Sequence, residues 1–201
     1  MNVLNRIKEI KIVPVTVFHS EEEIKPILKS LVDGNILVTE ICFRTEYALS
    51  AIKTAIKEFP ELLVGAGTII NKEQCQSAIK AGAKFIVSPG FSDEVYDCCK
   101  ANDVLYLPGV VTPTEIIHAL DKGINHLKFF PANVFGGISA IKALGAAFPQ
   151  VSFMPTGGVD EHNLKEFIEC KNIFAVGGSW LFKGDVKANC LKANEIVKGN
   201  K

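Results

Sequence analysis

Short apolar runs alternate with amphipathic segments along most of the chain. Apolar runs bounded by turn residues are typical of strands, and apolar positions recurring every three or four residues are typical of helices. Gly34, Gly82 and Gly123 follow three such helices, where a left-handed residue commonly ends a helix. Strands are predicted over eight runs, residues 11–17, 36–41, 62–66, 85–87, 105–107, 126–130, 152–155 and 173–176. Helices are predicted over intervening segments that include residues 20–32, 46–58, 72–81, 93–101, 113–121 and 161–169.

This alternation predicts a parallel sheet, because parallel strands need a long crossover connection, usually a helix. Eight such units in 201 residues favour a (β/α)8 TIM barrel that forms a single domain over residues 1–201. An open doubly wound sheet is the alternative, and it usually has a glycine-rich turn after its first strand. Here Val17 is followed by Phe18, His19 and Ser20, so the barrel is preferred. In a barrel, chemistry takes place at the carboxyl ends of the strands.

Composition restricts the partners and the compartment. The 201 residues are 48% hydrophobic, and 22 basic side chains balance 22 acidic ones. This balance indicates neither nucleic acid nor a membrane as a partner. No apolar stretch is long enough to span a bilayer, and charges interrupt residues 1–10, where a secretory signal would need an apolar core. A cytoplasmic location is therefore expected, with six reduced cysteines that are predicted to be small core residues or incidental surface thiols, not zinc ligands.

Lys128 is unusual for its position, because it lies in an apolar run, residues 125–131, that is typical of a strand ending at Pro131. Burial disfavours an ammonium ion, and a neutral lysine amine attacks carbonyl carbons to form a Schiff base. The alternative is that Lys128 buries its stem and extends its ammonium group into water, as strand lysines commonly do.

Glu40 is a carboxylate inside the second predicted strand, and Arg44 follows it at the turn into the next helix. A buried carboxylate suits a general acid or base. The Arg44 guanidinium could bind a substrate carboxylate. It could equally form a structural ion pair with Glu40 at the mouth of the barrel, and the residues alone leave both interpretations open.

Glycine-rich turns and prolines follow the other predicted strands. Thr68 comes after Gly65 and Gly67 at the end of the third strand, and Pro89 follows the fourth. Paired glycines after the last two strands of a barrel suggest a phosphate site, although tight turns without a ligand are the alternative. These glycines lie in the segments Thr156-Gly157-Gly158 and Gly177-Gly178-Ser179.

The four histidines show no metal-binding spacing, and no D-x-D or H-x-H cluster occurs in the sequence. His126 has the same strand parity as Lys128. It is predicted to be a hydrogen-bonded structural histidine low in the core, not a catalytic base.

Taken together, these motifs resemble the 2-keto-3-deoxy-6-phosphogluconate (KDPG) aldolase family, class I aldolases that also act on 4-hydroxy-2-oxoglutarate (KHG). The resemblance extends from residues 11–15 to residues 177–181. Its most specific segments are residues 40–45, 64–68, 88–90, 127–132 and 155–159. It implies that Lys128 is the Schiff-base lysine and Glu40 the general acid/base. The substrate-binding residues that it implies are Arg44, Thr68, Pro89, Phe130, Thr156, Gly157, Gly158, Gly178 and Ser179.

The resemblance further implies reversible cleavage of KDPG to pyruvate and glyceraldehyde 3-phosphate with no metal and no organic cofactor. It implies a small-molecule keto acid as substrate, a homotrimer, and an N-terminal helix near residues 3–9 that closes the barrel. Arg44-Thr45 and Thr16-Val17 favour the gluconate branch, while Asn133 departs from members with an acidic residue at that point. The alternatives are a 2-keto-3-deoxy-6-phosphogalactonate aldolase, a non-catalytic phosphosugar-binding barrel, and a metal-dependent aldolase or isomerase.

Overall fold

The computed structural model describes residues 2–199 and shows an α/β protein in which helices alternate with parallel strands. The first half contains α1 (Val3–Ile10), β1 (Ile12–Thr16), α2 (Glu21–Asp33), β2 (Val38–Cys42), α3 (Ala48–Glu58), β3 (Leu63–Gly67), α4 (Lys72–Ala81), β4 (Phe85–Val87), α5 (Asp93–Ala101) and β5 (Leu105–Leu107). The second half contains β6 (Gly109–Val110), α6 (Pro113–Asp121), β7 (His126–Phe129), α7 (Gly137–Ala147), β8 (Ser152–Pro155), α8 (Leu164–Ile168), β9 (Val176–Gly178), a 3-10 helix (Trp180–Phe182) and α9 (Val186–Val197).

The strands form two parallel sheets. β5, β4, β3, β2, β1 and β9 are hydrogen-bonded in that order and curve into a half-barrel, while β6, β7 and β8 form a smaller second sheet. In the larger sheet, Glu40 of β2 is in register with Val15 on one side and Gly65 on the other. In the smaller sheet, Lys128 of β7 is in register with Gly109 and Met154. The two residues singled out by the sequence therefore belong to different sheets.

The predicted closed barrel of eight strands is wrong, because the strands do not form one continuous sheet. Pro108 has no N–H group to donate, and it separates β5 from β6, so the larger sheet ends at β5. At the opposite edge, β8 and β9 are joined by isolated bridges instead of a ladder, and these bridges pair Phe153 with Ile173 and Thr156 with Gly177. The last strand, predicted over residues 173–176, lies later in the chain, as β9.

Local capping explains where several helices begin. The side chains of Asn71 and Ser92 accept hydrogen bonds from backbone N–H groups in the first turns of α4 and α5, and Thr112 forms a capping box with Glu115 at α6. These three helices have the predicted bounds. α8 is shorter than predicted, because the Asp160 carboxylate accepts backbone N–H groups in a turn before it. α7 and α9 are additional to the helices predicted.

The central strands of the larger sheet are buried on both faces, which is why their sequences are mostly apolar. Every residue of β1, β2 and β3 is buried, and this includes the Glu40 carboxylate. A glycine is required at position 65, since a Cβ atom there would lie 2.3 Å from the Phe85 ring. The Phe85 ring thus packs directly against the backbone of β3.

α1 lies against the amino ends of the strands. The Asn2 side chain caps it by accepting the Leu4 N–H at 2.8 Å, and Ile7 is fully buried beneath it. The Arg6 guanidinium donates to the backbone carbonyls of Leu37 and Glu61, just before β2 and β3. The helix predicted near residues 3–9 is therefore present, and it covers the end of the sheet opposite to the carboxyl ends.

His126 begins β7 at this same end of the molecule. Its Nδ1 atom lies 2.7 Å from Asn125 Oδ1, and its ring meets the Phe174 ring edge-on with centroids 5.3 Å apart. Burial, with a smaller contribution from the Lys8 charge, lowers the pKa of His126 to about 4. His126 is hydrogen-bonded as predicted, but it is only partly buried and does not lie in the core as expected.

This depressed pKa predicts a loss of stability in acid. The unfolded chain takes up a proton near the ordinary histidine pKa of about 6.5, whereas the folded chain does not until about pH 4. The stabilising contribution is therefore complete above about pH 6.5 and declines as the pH falls towards 4. Glutamine does not titrate, so we expect the free energy of unfolding to fall by about 1 kcal/mol less in His126→Gln than in wild type between pH 7.5 and pH 5. The expected difference is small because the ring is partly exposed to solvent. Urea unfolding of both proteins at the two pH values measures this difference. His162→Gln, at an exposed histidine, is the control, and equal pH dependence in wild type and His126→Gln would contradict the prediction.

Candidate active site

A buried contact between Lys128 and Glu40 connects the two sheets. The Lys128 Nζ atom lies 3.1 Å from Glu40 Oε1 and 3.5 Å from Glu40 Oε2. Lys128 is 5% exposed and Glu40 is fully buried. The ammonium group does not extend into water, so the alternative interpretation of Lys128 as a snorkelling surface lysine does not describe this structure. A paired amine and carboxylate that exclude water can exchange a proton directly.

The pair opens into a cavity of about 130 Å³ near the carboxyl ends of the strands. The space beside the amine is large enough for a small molecule of a few heavy atoms. Seven of the predicted site residues contribute to its wall, and they come from β2, β7 and the segments after β2, β3, β4, β7 and β8. The cavity is lined by Val15, Glu40, Cys42, Arg44, Thr68, Pro89, Lys128, Phe130 and Thr156.

Gly67 leaves the space in which the Glu40 carboxylate lies. A Cβ atom at position 67 would approach Glu40 Oε1 to 2.1 Å and the Glu40 side-chain carbons to 2.5 Å. Gly67 has no positive φ, so its role is spatial and not conformational. The G-x-G pattern within β3 is explained by two neighbours, since Gly65 makes room for Phe85 and Gly67 makes room for Glu40.

Arg44 reaches the cavity from the turn after β2, but it does not pair with Glu40. Its Nη2 atom donates to the Cys42 sulfur at 3.2 Å, and Cys42 lies between the guanidinium and the Glu40 carboxylate. Among residues 2–199, no salt bridge joins Arg44 to Glu40, whose ionic partner is Lys128. The structural Glu40–Arg44 ion pair considered from the sequence is therefore absent from the described part of the chain. Arg44 is itself exposed at the edge of the cavity, where it has donors to offer to an anion.

Thr68, Pro89 and Phe130 form the remaining wall near the amine. Thr68 has a left-handed backbone with φ of 58°, which is uncommon for a residue with a branched side chain. The Phe130 ring lies 5.1 Å from the Lys128 Nζ atom, within the range of a cation–π contact. These residues combine an apolar surface with one hydroxyl group around the Lys128 amine.

The glycine loops after β8 and β9 pack closely against each other beyond the cavity. Gly157 and Gly158 have φ values of 93° and 79°, which favour glycine. A Cβ atom at Gly158 would lie 2.3 Å from the Asn133 side chain, and one at Gly177 would lie 2.3 Å from Thr156 Oγ1. Among residues 2–199, the backbone N–H groups of Gly158 and Ser179 make no hydrogen bond to another residue. The loops therefore satisfy local packing and leave two donors for a further partner.

The sequence interpretation missed two residues of the cavity wall, Val15 and Cys42. Cys42 has the same strand parity as Glu40, which is the signal that could have placed it at the site. The other described cysteines lie elsewhere, and no group of three or more His, Cys, Asp or Glu side chains within residues 2–199 could hold a metal ion. None of the helices in the described part of the chain is long and apolar enough to cross a membrane.

Comparison with known proteins identifies the family. The family model described as "KDPG and KHG aldolase" matches residues 3–197. The chain belongs to this aldolase family. A KHG/KDPG aldolase of Escherichia coli K12 is 38% identical over 196 residues, which cover 94% of this chain and 92% of the relative. A 2-dehydro-3-deoxy-phosphogluconate aldolase of Pseudoalteromonas atlantica is 39% identical over 174 residues, covering 87% and 81% of the two chains.

Solved structures of the aldolase family resemble this fold closely. A 2-keto-3-deoxy-6-phospho-gluconate aldolase from Zymomonas mobilis has a TM-score of 0.93 at 34% identity, with 98% of each chain covered. A KDPG aldolase from Legionella pneumophila has a TM-score of 0.88 at 35% identity, covering 98% of this chain and 97% of that one. The Legionella structure contains pyruvate captured as a covalent carbinolamine intermediate. The carbinolamine is the adduct that precedes a Schiff base, so that enzyme uses class I chemistry.

Proposed function

We propose that this protein is a class I aldolase that forms a Schiff base between Lys128 and a 2-keto acid. Its reaction is the reversible cleavage of KDPG to pyruvate and glyceraldehyde 3-phosphate. We propose that it also cleaves KHG to pyruvate and glyoxylate, and that residues 1–201 act as one aldolase domain. The observation that carries the proposal is the buried contact of 3.1 Å between Lys128 Nζ and Glu40 Oε1, at the wall of a cavity with room for a few heavy atoms.

The amine must lose a proton before it can attack, and Glu40 is the group in contact with it. The neutral Lys128 amine adds to the C2 ketone carbon and gives a carbinolamine. Glu40, which now carries the proton taken from the ammonium group, returns it to the C2 hydroxyl group. That group leaves as water, and the product is an iminium ion with a positive charge on nitrogen. Because Glu40 lies within 3.5 Å of this nitrogen through both oxygens, its carboxylate stabilises the iminium ion electrostatically.

The iminium ion accepts the electron pair of the breaking C3–C4 bond. Glu40, through a water molecule, removes the proton of the C4 hydroxyl group, and the aldehyde leaves. The enamine that remains is protonated at C3 by the same carboxylic acid, and hydrolysis of the new iminium ion frees pyruvate and Lys128. A single carboxylate can serve these transfers in turn, since each step returns it to the protonation state that the next one needs.

The part of the cavity wall nearest Lys128 suits the pyruvyl half of the substrate. The Arg44 guanidinium, at the cavity edge, and the Thr68 hydroxyl offer donors to the C1 carboxylate. Pro89 and Phe130 supply the apolar surface beside C3, which limits access of water to the enamine. All four line the same cavity as Lys128.

We propose that the phosphate at the distal end of the substrate is bound by the loops after β8 and β9. The residues assigned to it are Thr156, Gly157, Gly158, Gly178 and Ser179. The backbone N–H groups of Gly158 and Ser179 that make no bond within residues 2–199 support this assignment, since backbone donors at glycine-rich loops commonly bind phosphate in α/β proteins.

Two alternatives make different use of the same residues. A non-catalytic phosphosugar-binding protein would keep the glycine loops but would have no use for a buried lysine paired with a carboxylate. A 2-keto-3-deoxy-6-phosphogalactonate aldolase would share the Lys128 chemistry and differ in the configuration of the hydroxyl group at C4. The Lys128–Glu40 contact argues against the first, and comparison of the two epimeric substrates distinguishes the second.

We also propose a homotrimer located in the cytoplasm, with a small-molecule keto acid as the ligand and neither nucleic acid nor membrane as a partner. Val134 and Phe135 are exposed apolar side chains in the segment between β7 and α7, and they offer a surface that a neighbouring subunit could cover. Sedimentation equilibrium tests the assembly, and a mass equal to one chain would contradict it.

Sodium borohydride should trap pyruvate on Lys128, because it reduces the iminium ion to a stable secondary amine. We expect mass spectrometry of the digested protein to place one pyruvate-derived adduct on Lys128 and none in the Lys128→Met variant. Lys100→Met, which removes a surface lysine, is the matched control and should be labelled like wild type. An adduct on another lysine, or none, would overturn the proposed mechanism.

Glu40→Gln should separate imine formation from bond cleavage. The amide keeps the size of the side chain but cannot accept the C4 hydroxyl proton, so we expect kcat for KDPG cleavage to fall by about a hundredfold or more. Pyruvate trapping by borohydride should remain measurable in the same variant, which serves as the control for an intact site. Turnover within a few-fold of wild type would remove Glu40 from its proposed role.

If the loops after β8 and β9 bind the phosphate, the enzyme should prefer a substrate with a phosphorylated end. KDPG and KHG present the same keto-acid end to Lys128, but only KDPG has a phosphate for the Gly158 and Ser179 N–H groups. We expect kcat/KM for KDPG to exceed that for KHG by about tenfold or more, since hydrogen bonds to a charged group contribute roughly 1.5–3 kcal/mol. Steady-state assays that couple pyruvate release to lactate dehydrogenase measure both, and equal values would contradict the distal assignment.

A further inference from the structure

Cys42 lies between the Glu40 carboxylate and the Arg44 guanidinium, the two groups that the proposed reaction must orient towards the substrate. It is two residues after Glu40 on the cavity face of β2, and it is 2% exposed. Its sulfur accepts a hydrogen bond from Arg44 Nη2 at 3.2 Å and lies 3.9 Å from Glu40 Oε1, within reach of an S–H donor. One thiol therefore contacts both the guanidinium and the carboxylate.

The thiol is held in its protonated form. Burial raises the pKa of Cys42, and the negative charge of Glu40 raises it further, against a smaller opposing effect of the Arg44 guanidinium. A protonated Cys42 is a poor nucleophile, which argues against a covalent role for it. It has one hydrogen to donate and a sulfur that accepts, and these are the two capacities that its contacts use.

These contacts distinguish the two oxygens of Glu40. Oε1 receives Lys128 Nζ at 3.1 Å and the Cys42 S–H group, while Oε2 has only the longer Lys128 contact of 3.5 Å among the hydrogen bonds of residues 2–199. An S–H donor on Oε1 opposes rotation of the carboxylate and leaves Oε2 as the oxygen more available for proton transfer.

We propose that Cys42 is a positioning residue, which orients the Glu40 carboxylate for proton transfer and the Arg44 guanidinium for binding the substrate carboxylate. The proposal deepens the proposed aldolase function and rests on it. Cys42 acts through its two neighbours and forms no bond with the substrate.

The kinetic test compares Cys42→Ala with Cys42→Ser. Alanine removes both contacts, so we expect KM to rise about fivefold through Arg44 and kcat to fall about fivefold through Glu40, the scale of one ordinary hydrogen bond in each case. Serine keeps one donor and one acceptor on a shorter bond, and it should recover most of the loss in both constants.

Cys170→Ala is the matched control, since the Cys170 sulfur also donates one hydrogen bond, to Asn172 Oδ1 at 3.0 Å, away from the site. It should change neither KM nor kcat. If Cys42→Ala leaves both constants within twofold of wild type, or if Cys42→Ser performs no better than alanine, the positioning role is wrong.

A spectroscopic measurement separates this proposal from the aldolase function itself. The S–H stretching band of Cys42, obtained as the infrared difference between wild type and Cys42→Ala, should lie at the lowered frequency of a hydrogen-bonded thiol. It should shift upward in Glu40→Gln. A band that does not respond to Glu40→Gln would overturn the proposal, whatever the activity. If the band responds but wild type traps no pyruvate, the Cys42–Glu40 contact stands, whereas the aldolase function and the positioning role that rests on it both fail.

Discussion

The contact between Lys128 and Glu40 is the constraint on which the rest of the site depends. It joins residues 88 positions apart and connects the half-barrel with the smaller sheet. Removing two charges from water is costly, and a buried pair persists only where geometry and further hydrogen bonds offset that cost. Every other ion pair in the described part of the chain has at least one partner more than half exposed. The strongly desolvated charges of this fold are thus concentrated where the chemistry is proposed.

The interruption of the sheet beside Lys128 supports this contact. Pro108 ends β5, and its carbonyl oxygen accepts the Lys128 N–H at 2.8 Å, so the break in the ladder lies next to the proposed nucleophile. Gly109 follows, and a Cβ atom at that position would lie 2.1 Å from the Pro89 carbonyl oxygen. The same short segment therefore fixes the backbone of the lysine strand and allows the Pro89 loop to approach the cavity. A proline that prevents one continuous sheet also helps to define the active-site wall.

The sequence predicted which residues meet around the cavity better than it predicted the closure of the sheet. Lys128 and Glu40 could be found because a charged residue inside an apolar strand is evident from the sequence. Since the sites of such folds lie at the carboxyl ends of the strands, both residues were expected at the same end of the sheet. The pattern of apolar residues does not determine whether the sheet closes into a barrel, since strand pairing depends on hydrogen bonds between segments far apart in sequence. Cys42 was missed because a cysteine in an apolar run is ordinarily a small core residue. Its proposed role depends on contacts with two neighbours, Glu40 and Arg44, whose relative positions only the folded chain defines.

The charges of the cavity explain how a protein with no net charge can select an anionic keto acid. Lys128 and Glu40 neutralise each other, so the Arg44 guanidinium supplies the unbalanced positive charge near the keto-acid end. In the proposed mechanism the positive charge is on the Lys128 nitrogen in the iminium ion, still within reach of Glu40, so the electrostatic balance of the cavity is preserved through the covalent step. The loops after β8 and β9, proposed to bind the phosphate, would do so with backbone donors, which do not titrate and need no counter-charge in the resting protein. On these proposed assignments, substrate selection follows from the placement of a few groups and not from the overall charge of the chain.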